Sequence, residues 1–167
     1  MNASGVISGV VDVTRCQIVR PRNAPWSFYS AKDKFHALKY EVVCSPKKPV
    51  KIIWLSEPYA GSHSDITIYR HRLKWCLDED EYLLADKGYV GASHIIHPYK
   101  GRRLTPDQKR INWKISRVRQ KIERINKRIK DWRLASRCWR SSDHHFHYLC
   151  MKVICKLVNI MLKEEPL

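Results

Sequence analysis

Three acids stand where a reaction on phosphate could use them. Asp12 lies in Val6-Ile7-Ser8-Gly9-Val10-Val11-Asp12-Val13, a short run rich in β-branched residues, and Asp86 closes a second apolar run, Tyr82-Leu83-Leu84-Ala85-Asp86. Glu123 follows Ile122 at the margin of a long periodic segment. A carboxylate drawn into an apolar element is costly unless it is hydrogen-bonded, ion-paired or bound to a metal. Read singly, each of these acids is a cap or a salt-bridge partner. Read together, two acids from strands and one from a helix can converge at the rim of a sheet. Phosphodiester cleavage needs an activated nucleophile and stabilised charge on the attacking and leaving oxygens. Two divalent cations roughly 4 Å apart supply both when hard carboxylate oxygens hold them. The ions in turn offset the repulsion among the acids. The expected cofactor is therefore Mg2+ or Mn2+, as two ions.

These acids need elements to carry them. The β-branched run over 6–13 predicts a central strand, with 15–20 as its hairpin partner. Residues 21–30, with two prolines and Asn23, predict a loop. Strands are expected over 36–44 and 50–56, joined by the turn Ser45-Pro46-Lys47-Lys48-Pro49 in an antiparallel meander. Ser64 or Asp65 is placed to cap a helix over 66–78. Residues 82–86 then form a fourth strand, turned by Lys87-Gly88-Tyr89. Three strands, a helix and a fourth strand describe an α/β domain built on a central sheet.

The strongest periodicity belongs to the segment carrying Glu123. Ile111, Ile115, Val118, Ile122, Ile125, Ile129 and Trp132 recur at alternating intervals of four and three, which is one apolar seam along a helix. Trp132 completes the seam as a core anchor, and Thr105-Pro106 supplies an N-cap and first-turn proline. A simple coiled coil has the same periodicity. Arg119 and Lys127 lie one turn either side of Glu123, placed to contact phosphate or balance the acids. Residues 148–162 are apolar on more than one side but interrupted by Lys152, Lys156 and Asn159, which predicts a buried terminal helix. No apolar run reaches membrane-spanning length, and no membrane partner is expected.

Charge points to the partner. The chain of 167 residues holds 32 Lys and Arg against 16 Asp and Glu. Between His97 and Arg140 there are sixteen Lys or Arg against only Asp107, Glu123 and Asp131, so thirteen of the sixteen excess charges fall there. A polyanion suits such a stripe, since each phosphate neutralised releases counterions. Charge alone does not separate DNA from RNA or an anionic membrane. The six cysteines include no pair spaced by two residues, and are expected to be reduced in an intracellular protein, nuclear in a eukaryote and otherwise cytoplasmic. Cys150 and Cys155 near His144, His145 and His147 match no zinc-ligand spacing.

Four stretches carry a family resemblance: VVDVT followed by RP, FYSAKDKFHALKYEVVCSP, IIWLSEPYAGSHSDITIYR and LLADKGYVG. A fifth feature joins them on the long helix. Arg119, three residues, Glu123, six residues and Lys130 reproduce a spaced pattern in which Ser116 replaces the usual tyrosine. The sequence resembles the DDE superfamily of transposase-derived endonucleases, the group of Harbinger-type and related bacterial insertion-sequence transposases. Val13 stands where that family usually has glycine after its first acid. Asp86 and Glu123 have 36 residues between them, close to the family's spacing.

The resemblance implies an RNase H-like mixed sheet flanked by helices, with residues 1–140 as the catalytic domain and 141–167 as a helical segment packing on it. It implies Asp12, Asp86 and Glu123 as catalytic metal ligands and DNA as the substrate. Asp65, in SHSD, is also characteristic of the group and competes with Asp86 for the second position. Asp86 is preferred because an RNase H-like order sets that acid on the strand after the first helix. Asp65 then reads as a cap that also orients His63 or a metal-bound water. Arg124 and Lys130 are candidates for a DNA track, and Lys39, with Lys32, Lys34 and His36, for further backbone contacts. No helix-turn-helix is recognised, so a separate DNA-binding protein is an expected partner, together with a homodimer. The rival readings are a domesticated remnant that binds nucleic acid without turnover, and an RNA-processing relative on the same fold.

Overall fold

Val6–Gln17 forms one twelve-residue strand, β1, and its middle is buried on both faces. The expected hairpin over 15–20 does not form. No Gly, Pro or Asn interrupts the chain between Asp12 and Arg20, so there is no turn chemistry to reverse it. Arg15, Cys16 and Gln17 instead continue β1 and pair with Lys39, Leu38 and Ala37. The computed structural model describes residues 5–167, so the first four residues of the expected catalytic domain lie outside the described residues.

After β1 the expected loop contains a short helix, α1 (Pro25–Phe28), and a two-residue strand, β2 (Tyr29–Ser30). The meander continues through β3 (Phe35–Cys44), β4 (Ile52–Leu55) and β5 (Tyr59–Ala60). Helix α2 (Asp65–His71) is shorter than expected, and a separate 3-10 turn covers Leu73–Cys76. Then come β6 (Glu81–Leu84), a 3-10 turn over Lys87–Tyr89, and β7 (Ile95–Ile96). Helices α3 (Pro106–Lys130), α4 (Arg133–Ser136) and α5 (His144–Glu164) complete the chain.

The sheet runs β2-β3-β1-β6-β7, with β4 and β5 also paired to β3. β3 is antiparallel to β1, whereas β6 is parallel to β1 and β7 parallel to β6. This mixed sheet with helices on both faces is the expected RNase H-like arrangement. Because side chains alternate along a strand, β1 feeds two cores. Val10 and Cys16 join Leu84 and the buried side of α3 and α5. Val11 and Val13 join Leu83, Ala85 and the buried side of α2.

The seam of α3 meets this sheet rather than a lone second helix. Ile115, Ile122, Ile125 and Ile129 are buried in the core shared with β1, β3 and α5. Ile111 is partly exposed, and the helix stops at Lys130, two residues short of the half-buried Trp132. Thr105 caps the start, and Gln108 completes a reciprocal capping box. Asn159, an interruption in the apolar pattern, has a specific task. Its side chain accepts from Ile52 N–H at 2.7 Å and donates to Ile52 C=O at 2.9 Å, fastening α5 to β4. Among the described residues no helix is long and apolar enough to cross a membrane.

Candidate active site

The parallel register of β1 and β6 brings two of the expected acids together. Val10 pairs with Leu84, and each acid lies two residues further along its strand direction. Asp12 and Asp86 therefore leave the sheet at one level and toward the α3 face. Burial raises the pKa of Asp12. A backbone hydrogen bond at Val13 opposes that, Asp86 raises it, the charge of Arg119 lowers it, and Asp65 raises it again. Asp86 begins the turn after β6, where its Oδ1 accepts from Gly88 N–H at 2.7 Å. A Cβ on Gly88 would stand 2.9 Å from Asp86 Oδ1, so the glycine makes room for that carboxylate, while Asp65 Oδ2, at 3.5 Å, would be in ordinary contact.

Helix α3 reaches this pair with a residue that the spaced pattern did not single out. Asn126 donates from Nδ2 to Asp12 Oδ2 at 2.9 Å. Relative to Arg119, Asn126 lies about 20° to one side of the helix, while Lys130 and Glu123 lie about 20° and 40° to the other. The Glu123 side chain is 56% exposed, with its Oε1 3.8 Å from Arg119 Nη2. Glu123 is thus held to the arginine that acts on Asp12, rather than beside Asp12 itself. The signal for Asn126 was its spacing of two turns from Arg119 on the inner edge of the seam.

The expected cations divide by position. Lys127 and Arg124 are exposed on α3. Lys130 turns inward, donating to Arg15 C=O and, at 2.7 Å, to Ala135 C=O, which ties α3 to β1 and α4. A cleft of about 500 Å3 opens beside Asn126, with Arg15, Lys127 and Lys130 among its walls. Lys39 is buried. Its ammonium donates to His63 C=O and lies 3.6 Å from Asp65, so it balances an internal acid where a surface phosphate contact was expected. Lys32 and Lys34 are exposed and His36 half-buried.

Asp65 is not the helix cap. Ser64 is, its hydroxyl accepting from Thr67 N–H at 3.2 Å, and Asp65 is the first residue of α2. Its carboxylate lies 3.4 Å from Arg15 Nη2, and Arg15 Nε meets Asp33 at 3.2 Å. The His63 ring contacts Ala60 C=O at 3.1 Å and is exposed, so Asp65 does not orient it. A further acid escaped the sequence reading. Glu41 on β3 is 1% exposed, and burial followed by repulsion from Asp65 pushes its carboxyl up to about 8. Tyr89, from the turn that follows Asp86, and Trp54 offset part of that push without reaching hydrogen-bond geometry.

The family model for DDE superfamily endonucleases matches residues 11–159. The chain belongs to that family. A probable transposase for insertion sequence element IS702, from Microchaete diplosiphon, is 31% identical over 144 residues, covering 82% of this chain and 51% of that protein. The chain therefore spans about half the length of the relative it matches. No solved structure matches.

In this DDE superfamily chain the donor set suits a hard divalent cation. Asp12 and Asp86 offer carboxylate oxygens whose mutual repulsion a cation between them would relieve. Mg2+ is commonly held by one or two carboxylates, with water and substrate phosphate completing its shell. Among the described residues no three His, Cys, Asp or Glu side chains are grouped to enclose a metal. The fit therefore rests on the two aspartates, with Glu123 one arginine away.

Proposed function

We propose that this chain is the catalytic domain of a divalent-metal-dependent DNA endonuclease or strand transferase. The observation that carries this reading is the register of β1 and β6, which sets Asp12 beside Asp86. In this reading Asp12 and Asp86 hold Mg2+ or Mn2+, as two ions, and Glu123 completes the site from α3, while Asp65 stands as a further ligand candidate. Asn126 keeps Asp12 oriented by its 2.9 Å hydrogen bond. When bound, the ions activate the nucleophile and stabilise charge on the reacting phosphate. Arg119 and Lys127 flank the site to meet substrate phosphate, and Arg124 extends the contact along the exposed side of α3. The nucleophile is water for nicking or a DNA 3′-hydroxyl for strand transfer. A homodimer and a separate DNA-binding protein are the proposed partners.

One observation favours a second reading, a nucleic-acid-binding remnant without turnover. Glu123 is exposed and ion-paired to Arg119, and among the described residues no third acid is grouped with the aspartate pair to hold a metal. The test is a plasmid-nicking assay with Mg2+ or Mn2+, using Asp86→Asn as control. The expected result is metal-dependent nicking that collapses in the variant while salt-sensitive DNA binding survives. Binding without nicking by the unaltered chain favours the remnant.

A further inference from the structure

Where β1 ends, the chain is fastened to a segment more than a hundred residues later. Trp139 N–H donates to Gln17 C=O at 2.9 Å, and Val19 N–H donates to Trp139 C=O at 3.0 Å, around a parallel bridge between Ile18 and Trp139. This tie sets the segment after β1 against the approach to α5, and a cavity of about 650 Å3 lies between them. Arg20, Arg22 and Arg140 line it, with Ser141 and Ser142. Phe28 and His144 form a ring pair on its wall, their centroids 5.1 Å apart. The cavity is separate from the aspartate pair: Asp12 and Val19 are seven residues apart, roughly 20 Å along a strand.

Three exposed arginines line one cavity, and their guanidiniums suit an anion. Arginine stays protonated, and among the described residues none of these three is ion-paired to an acid. No carboxylate lines the cavity. The neighbouring acid in sequence, Asp143, is committed as the cap of α5, accepting from Phe146 N–H at 2.7 Å. Arg20 also lies over the Trp26 ring, 5.9 Å from its centroid, an aromatic neighbour that still leaves guanidinium N–H groups to donate. Guanidinium forks match phosphate oxygens, serine hydroxyls add donors, and flat rings accept a base by stacking.

We propose that this cavity binds the phosphoryl group of a nucleotide, with the arginines on the phosphate oxygens and the Phe28–His144 pair beside the base. The phosphate has two possible sources, a free nucleotide and the backbone of bound DNA. The experiment separates them, and is run in EDTA so that the outcome is independent of cleavage. Calorimetry at constant ionic strength measures binding of inorganic pyrophosphate and dAMP to the full chain, and fluorescence anisotropy measures binding of a DNA duplex. The variants are Arg22→Ala/Arg140→Ala and the milder Arg140→Lys, which keeps charge but loses the fork, with thermal melts to confirm folding. If the source is a free nucleotide, both small ligands bind and the double variant weakens them roughly tenfold or more. If the source is DNA, the small ligands bind poorly and the double variant lowers the salt slope of duplex binding by about two. The proposal is overturned if folded variants bind pyrophosphate, dAMP and duplex as the unaltered chain does.

Discussion

Asn126 and Asp12, separated by 114 positions, are joined by a 2.9 Å hydrogen bond from the amide Nδ2 to the carboxylate Oδ2. The bond links the C-terminal part of α3 to the centre of β1, and it falls on an acid already burdened by burial and by Asp86. A hydrogen bond to a charged group contributes about 1.5–3 kcal/mol. Asn126→Ala is therefore expected to lower metal-dependent nicking by roughly tenfold or more, through loss of Asp12 orientation. Duplex affinity in EDTA should stay unchanged. An unaltered nicking rate would mean that Asp12 is oriented by other groups.

Asp12 itself sets function against stability. Its pKa is raised in the fold, so the folded chain holds that proton more tightly than the unfolded chain. This contribution to stability is full below the ordinary carboxylate value and is lost as pH rises through the raised one. At neutral pH without metal, Asp12→Asn should raise the melting temperature by about 3 °C while abolishing nicking. Mg2+ should raise the melting temperature of the unaltered chain and leave that of the variant in place. Equal Mg2+ responses in scanning calorimetry would count against Asp12 as a metal ligand.

Glu41 gives a pH dependence on the opposite face of the sheet. Its carboxyl is pushed up to about 8 from an ordinary value of 4.5. Stability should therefore fall as pH rises from about 5 to about 8, then level off. Glu41→Gln should remove that slope, giving a stability at pH 9 higher by a few kcal/mol than that of the unaltered chain. Urea unfolding at pH 5, 7 and 9 measures it, and parallel slopes for the two proteins would refute the assignment.

Lys127 and Lys130 should separate in a salt titration. Exposed Lys127 is expected to contact phosphate, so Lys127→Ala should lower the salt slope of duplex binding by about one. Lys130 bridges the backbone carbonyls of Arg15 and Ala135. Lys130→Ala should leave the slope alone and reduce stability by about 1–3 kcal/mol, because those carbonyls lose their partner. The reverse pattern, with Lys130 alone changing the slope, would overturn both roles.

Local residue patterns determined the parts of this protein. β-branched runs marked β1 and the meander, the four-and-three spacing marked the buried side of α3, and Thr105-Pro106 marked its start. Asp12 and Asp86 were legible because an acid in or beside an apolar strand must find a partner. What covers each face was decided only by the tertiary structure. The parallel pairing of β1 with β6 joins segments more than sixty residues apart, and it alone brings Asp12 to Asp86. The rotation of α3 is fixed by isoleucine packing on the sheet, which turns Asn126 inward and Glu123 outward. The same holds for the cations. Lys39 and Lys130 look like surface charge in sequence, yet the groups that neutralise or accept from them come from distant parts of the chain. A residue's period states which side of an element it occupies, while long-range packing decides what it meets there.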